Sequence, residues 1–375
     1  MKFVVSSNLL LSHLQTVGRV IASKNTIPIL DCFLFELQGN QLTITAADSE
    51  TRMMTTIEVN EGGEEGAFAV PSKNLLDALK ELPEQPVVFE INDTDLSLEI
   101  YYENGKYNFV VQRGEEYPQP KSLREDATRL SLKASNLLTG ITHTIFASGE
   151  DELRPVMNGI FFDITPENII FVASDGHKLV RFKNLTLVGN EPSSFILPKK
   201  PANLLKTILP REEGNVEIGF DANNAYITMS HFTVVCRLIE GRYPNYNGVI
   251  PLNNPYKVTV NRVNFVNALK RVTMFADPGT SLIRLSFSPN SIFISAQDIS
   301  FYTSAEETVT CLYDGTDMNI GFKGIYLIEI LQNVVSEEVV LELADPSRAG
   351  LIFPAENKEG EDLLMLLMPM MLNEE

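Results

Sequence analysis

The stretch PILDCFLFELQGNQLTITAADS, Pro28 to Ser49, returns twice along the chain, as PVMNGIFFDITPENIIFVASDG from Pro155 and PGTSLIRLSFSPNSIFISAQDIS from Pro278, at intervals of 127 and 123 residues. Each copy reads strand, tight turn, strand. Phe33, Phe35 and Leu37 occupy alternate positions in the first copy, Ile160, Phe162 and Ile164 in the second, and Ile283, Leu285 and Phe287 in the third. Successive side chains leave a strand on opposite sides, so this period of two marks a strand with one buried face. A pattern repeated three times predicts three similar domains.

Helical spacing recurs at the same interval. Leu10, Leu14, Val17 and Ile21 precede the first hairpin, Leu138, Ile141 and Ile145 the second, and Phe265, Leu269 and Val272 the third. A shorter helix follows each hairpin, in VPSKNLLDALKELP from Val70, LPKKPANLLKTILP from Leu197 and GFKGIYLIEILQNV from Gly321. The class is therefore α+β, with two helices per repeat. Copies one and two close on Tyr117-Pro118 and Tyr243-Pro244, and the third reaches Pro369. PQPKSLREDAT and PLNNPY have the proline-rich composition of short linkers, giving domains over 1–122, 128–250 and 254–375.

The 375 residues, 44% of them hydrophobic, suit two or three cored domains of a folded protein. No apolar run is long enough for a bilayer, and the opening MKFVVSSNLLLSHLQ reads as strand and helix instead of a signal peptide, so the expected location is the cytoplasm, without a membrane partner. Cys32, Cys236 and Cys311 are odd in number and widely separated, which suits neither a disulfide framework nor a thiolate zinc site; buried, reduced thiols are expected.

A net charge of −19 argues against nucleic acid only if it is evenly spread. The helical segments 7–24, 71–82, 133–148, 198–211, 261–276 and 322–335 hold thirteen basic residues against Asp77, Glu81 and Glu329, a sum of +10, which leaves −29 for everything else. Four of the six contain no acid. In one helix such a bias is an ordinary solvated face; six at a repeat interval predict a basic surface within an acidic body. Lys206, Lys270 and Arg271 belong to it. Zinc-finger spacing, an obvious recognition helix and interleaved aromatics are all missing from the sequence, so binding is expected to be to backbone phosphate, without sequence preference.

Three readings compete at this point. Ser174, Asp175 and His177 invite a hydrolase, but residues so close in one turn do not readily converge as nucleophile, base and orienter, and Asp-Gly is a common turn signal. No G-x-S-x-G elbow, P-loop, dinucleotide fingerprint, HExxH or paired cysteine motif occurs, so no cofactor or metal is expected. A protein-only repeat scaffold explains the architecture but not the acid-free helices. The third reading is a non-catalytic protein through which a polyanion passes.

Over its full length the chain resembles the bacterial sliding clamp family, the beta subunit of DNA polymerase III. The resemblance is carried by TIPIL (Thr26 to Leu30), SDGHKL (Ser174 to Leu179), EGRYPNY (Glu240 to Tyr246), the IGF of Ile320 to Phe322 and the terminal MPMML (Met368 to Leu372). It implies a head-to-tail homodimer whose six domains form a ring, sheets outside and helices inside, encircling double-stranded DNA as a processivity factor. It also implies a replicative DNA polymerase, a clamp loader and repair proteins as partners.

Family positions that contact DNA fall on Lys24, Lys73, Arg154, Lys199 and Lys200. Lys24 replaces an arginine common there and loses its planar fork. Those of the dimer interface fall on Tyr107 and Phe109 at one edge, and on Met274 and Phe275 at the other. The pocket for partner peptides falls on Met157, Ser174, Gly176, His177, Lys178 and Leu179 from the second domain's first half, on Pro244 and Val249 at its close, and on Met368, Pro369, Met370 and Leu372 from the tail. Flexible methionines suit a surface that accepts many peptides. Gly248, Met371 and the extension Asn373 to Glu375 depart from the family pattern and bear on peptide preference.

Overall fold

A computed structural model describes residues 1–120 and 122–372. All six helices form where the apolar spacing placed them, as α1 (Ser7–Val17), α2 (Ser72–Lys80), α3 (Ala134–Thr144), α4 (Lys199–Ile208), α5 (Arg262–Thr273) and α6 (Gly324–Gln332). Each is shorter than its expected segment. Capping fixes two of the starts: the Ser6 side chain accepts from the Leu9 amide and Asn261 from the Asn264 amide, satisfying donors that have no partner within the first turn. Three of the ends tighten into 3-10 turns, Gly18–Val20, Ile145–Ala147 and Leu209–Arg211.

The described residues fall into two compact units, one of Met1–Leu138 with Asn203–Leu238 and the other of Thr139–Ala202 with Ile239–Glu375. Residues of the central repeat contribute to both. In the first unit a nine-stranded antiparallel sheet runs in the order 128–133, 215–220, 224–228, 232–237, 51–58, 41–47, 32–38, 66–71, 112–113. Its hairpin Cys32–Gln38 to Gln41–Ala47 is the one read from the sequence, with Phe33, Phe35 and Leu37 buried. A separate four-stranded sheet orders Lys2–Ser6, Pro86–Asn92, Ser97–Tyr102 and Gly105–Val110, leaving the last as an edge. Phe3 stacks on Phe89 at 4.8 Å and Phe35 on Phe68 at 5.4 Å; truncating such a phenyl to alanine costs about 3–5 kcal/mol.

The second unit holds a twelve-stranded sheet in the order 193–198, 159–164, 169–174, 178–184, 361–367, 350–354, 338–343, 256–261, 303–312, 291–298, 282–288, 318–323. Here α3 lies close on the sheet: a Cβ at Gly140 would stand 2.5 Å from the Phe171 ring. Each unit contains one join between repeats, made by antiparallel pairing. In the first, Phe232↔Thr55 through Cys236↔Thr51 ties repeat two to repeat one. In the second, Lys178↔Leu367 through Asn184↔Glu361 ties repeat two to repeat three.

The three hairpins also share a turn. Oδ1 of Asp48 accepts the amides of Glu50 and Thr51, Oδ1 of Asp175 those of His177 and Lys178, and Oδ1 of Asp298 those of Ser300 and Phe301. A carboxylate taking two amides in this way replaces the turn's own backbone bond.

All three cysteines are free and buried, and burial pushes the thiols of Cys32 and Cys236 up to about 11 and about 12. Among the described residues no helix is long and apolar enough to cross a membrane, and no group of three or more potential ligands is placed to hold a metal.

Candidate functional site

Strand pairing in the second unit assembles most of the expected peptide pocket. The turn Ser174 to Lys178 projects from one hairpin, and the strand Glu361–Leu367 running beside it delivers the tail to the same place. The tail is fixed there by backbone. The Met368 amide donates to the His177 carbonyl and the Met370 amide to that of Gly321, each at 2.8 Å. Gly321 is required for that approach, since a Cβ on it would meet the Met370 carbonyl oxygen at 2.6 Å and Leu372 at 2.9 Å.

Beneath the turn lies an apolar cluster of Val172, Leu179, Tyr243, Tyr246, Leu364 and Leu366, with Val156 packed against it. Phe161 stacks on Tyr243 at 4.7 Å, and Tyr246 is held by its hydroxyl donating to Asp163 at 2.8 Å. Over this floor Val249 is 56% exposed and Met368 42%, while Met157, Pro369, Met370 and Leu372 are half-buried. His177, Gly176 and Pro244 are exposed. Leu179 is buried and belongs to the floor. Gly248 is exposed in the 3-10 turn Tyr246–Val249, Met371 is exposed on the tail, and Asn373 to Glu375 lie outside the described residues.

Lys178 differs most from a surface lysine. Its side chain is 6% exposed; Nζ lies 3.1 Å from Asp175 and 3.0 Å from Glu329 of α6, and 4.1 Å from the centroid of the Tyr326 ring. Lys323 reaches the same ring at 4.7 Å, so Tyr326 is contacted by two ammonium groups. Burial alone would lower the Lys178 pKa, but Asp175 and Glu329 together raise it above the ordinary lysine value. Tyr326 and Glu329 are absent from the expected set. The signal for them was present, because Glu329 is the one acid in its helical segment, but only the tertiary contact shows its use.

The same turn disposes of a catalytic reading. The Ser174 hydroxyl donates to the Lys178 carbonyl at 2.8 Å and accepts from the Gly176 amide at 3.1 Å, while Asp175 takes two amides. Ser174, Asp175 and His177 form no triad. Gly176 has φ +91°, and a Cβ there would stand 2.6 Å from the Arg154 guanidinium.

Arg154 is thus placed beside the pocket turn and paired to Asp151 at 2.9 Å, off the six helices. The other expected DNA contacts are distributed as follows. Lys73 on α2, Lys206 on α4, Lys270 on α5 and Lys24 beyond α1 are exposed, with no ion pair among the described residues. Lys200 is exposed on α4, and its neighbour Lys199 is paired to Glu150 at 2.5 Å. Arg271 grips Glu307 through both arms of its guanidinium, Nε to Oε2 at 2.9 Å. At the expected dimer edges, Tyr107 and Phe109 are half-buried on the edge strand Gly105–Val110, and Met274 and Phe275 stand 75% and 39% exposed at the end of α5.

Three family models match in succession: the N-terminal, central and C-terminal domains of the DNA polymerase III beta subunit, over residues 1–121, 131–245 and 247–371. The chain is 27% identical to the beta sliding clamp of Pseudomonas putida, over 99% of this chain and all of that one. It is 26% identical to that of Staphylococcus epidermidis, over 98% and 99%. A crystal structure of the DNA polymerase sliding clamp from Pseudomonas aeruginosa with ligand superposes with a TM-score of 0.94 at 26% identity, covering 99% of this chain and 100% of that one. A fold of three similar domains, antiparallel sheets with two helices apiece, matched in order from end to end, leaves one assignment: the chain belongs to the DNA polymerase III beta subunit family.

Proposed function

We propose that the chain works as a DNA sliding clamp, a processivity factor without catalysis of its own, that surrounds duplex DNA and tethers replication proteins to it. The observation that carries this is the end-to-end likeness to solved and curated clamps. In this reading two chains join head to tail, Tyr107 and Phe109 of one meeting Met274 and Phe275 of the other, because an edge strand with unpaired backbone groups favours addition of a partner. Three domains bounded near 122–128 and 250–254 supply the basic helices, on which Lys73, Lys199, Lys200, Lys206, Lys270 and Arg271 meet phosphate without reading bases, joined by Lys24 and Arg154 from outside them. The replicative polymerase, the clamp loader and repair proteins dock linear peptides on the groove of Met157, His177, Val249, Met368 and Met370. The cytoplasm is the proposed location.

Topological binding separates this reading from a scaffold or an ordinary DNA-binding protein. After loading on closed circular DNA the protein should be retained, and released once the circle is cut. Equal retention on both forms would defeat the proposal.

A further inference from the structure

The chain holds eleven methionines, and their exposure is far from even. Met53, Met229, Met318 and Met365 are buried in the fold. Three stand well exposed, Met371 at 82%, Met274 at 75% and Met368 at 42%, and each belongs to a proposed docking surface: two to the tail that walls the peptide groove, one to the dimer edge. Met157 and Met370, half-buried, lie at the same groove. In the proposed ring a second copy covers Met274, which leaves the groove as the place where an oxidant meets a bare thioether.

The cysteines do not compete for that oxidant. All three are buried, and burial pushes their thiols up, so that the reactive thiolate is scarce at neutral pH. The tail, for its part, is seated in a way that does not involve sulfur. Its two anchoring bonds run from the Met368 amide to the His177 carbonyl and from the Met370 amide to the Gly321 carbonyl, main chain to main chain. A change in the thioethers therefore alters the lining of the groove and leaves its wall in place, while the methionines that fill the core stay out of reach.

From this distribution we infer that the groove is a reversible oxidation switch, in which conversion of Met368 and Met371 to sulfoxides by hydrogen peroxide turns off peptide docking while the fold and the ring persist. The inference rests on the groove being the peptide site. In the forward step the thioether lone pair takes one peroxide oxygen and the O–O bond breaks. The proton of the transferred oxygen passes to the leaving one, which departs as water, and the sulfur is oxidised by two electrons. A sulfoxide reductase supplied with a dithiol reverses this: the sulfur regains two electrons, the dithiol becomes a disulfide and the oxygen leaves as water. The sulfoxide oxygen is a strong acceptor on a lining that was apolar, and a docked peptide would bury it without a donor.

The test uses the full-length protein and a short fluorescein-labelled peptide, selected from a library of apolar-anchored sequences for binding that Gly321→Val weakens. Under graded hydrogen peroxide, Met368 and Met371 should gain an oxygen atom, read by mass spectrometry of digests, before Met229, Met318 or Met365 does. Peptide affinity should fall at least about tenfold in step with them, while native mass and melting temperature hold. Methionine sulfoxide reductase with dithiothreitol should restore it. M368L/M370L/M371L, whatever its own affinity, should cease to respond to peroxide; if that variant binds no peptide, restoration by the reductase decides. Unchanged affinity once Met368 and Met371 are oxidised, or a fall that follows loss of native mass or of melting temperature, overturns the switch. A library that yields no such peptide overturns the groove reading itself, and the switch with it.

Discussion

The amide of Met370 donates to the carbonyl of Gly321 at 2.8 Å, a single backbone bond that seats the tail on an edge strand. G321V should lift the tail, since its Cβ would meet the Met370 carbonyl oxygen at 2.6 Å. Overpacking of this kind costs about 1–3 kcal/mol, and here the strain falls on a chain end able to move away. The expected result is peptide affinity reduced about tenfold or more with a small drop in melting temperature, measured by fluorescence anisotropy and calorimetry on one sample. Unchanged affinity would remove the tail from the pocket.

K178M leaves Asp175 and Glu329 facing each other without their cation. Losing one partner of a buried pair costs about 3–5 kcal/mol, which the partial exposure of Glu329 reduces to about 2 kcal/mol. The pH dependence has a definite sign. A lysine whose folded pKa is raised contributes its stability below the unfolded value and loses it as pH climbs through the folded one. The gap in melting temperature between wild type and K178M should therefore be full at neutral pH and close in strong alkali; a gap independent of pH would mean that packing alone is involved.

F275D places a charge at the end of α5, on a residue 39% exposed in the single chain. Folding should be little affected, within about 0.5 kcal/mol as for most surface changes. If Phe275 enters the proposed interface, the charge is stranded there and the dimer gives way to monomer. Sedimentation at low concentration distinguishes the two, and a persisting dimer would move the interface elsewhere.

Charge reversal at Lys206 or Lys270 should reduce the salt dependence of DNA binding by about 0.9 in slope for each phosphate no longer neutralised, with no change in melting temperature. Arg271 should behave differently. R271Q releases Glu307 from a two-armed ion pair, so its effect on binding is mixed with a local rearrangement. A steep fall in stability in K206E or K270E would place those side chains in structural ion pairs instead of on phosphate.

The hairpins were legible because Phe33, Phe35 and Leu37 each needed burial on one face, and period two has no other solution in so short a run. The helices were equally clear, though their ends were not: a cap at Ser6 or Asn261 is local chemistry, whereas the room for only a glycine at residue 18, where α1 gives way to a 3-10 turn, is set by the Phe33 ring 3.1 Å from where a Cβ would sit. The pairing of Lys178–Asn184 with Glu361–Leu367 could not be read, because both strands are apolar on the same pattern as others and nothing local names a partner some 180 residues away. For that reason Tyr326 and Glu329 were missed, and the place of Arg154 beside the pocket turn was not foreseen; their neighbours are set by the fold, not by the spacing.

Asp48, Asp175 and Asp298 build one backbone turn three times from the same two amides, yet the residues presented by the turns share nothing: Glu50 and Thr51, His177 and Lys178, Ser300 and Phe301. The two amide bonds at Oδ1 place no demand on the side chains that follow, although at Asp175 the second carboxylate oxygen also pairs with Lys178. Three equivalent positions were therefore free to drift apart in chemistry while keeping the same two amide bonds, and a new ligand preference could arise at one of them through single substitutions, without any redesign of the hairpin carrying it. Divergence of this kind leaves a record. In relatives, the aspartates should vary far less than the residues two and three places after them.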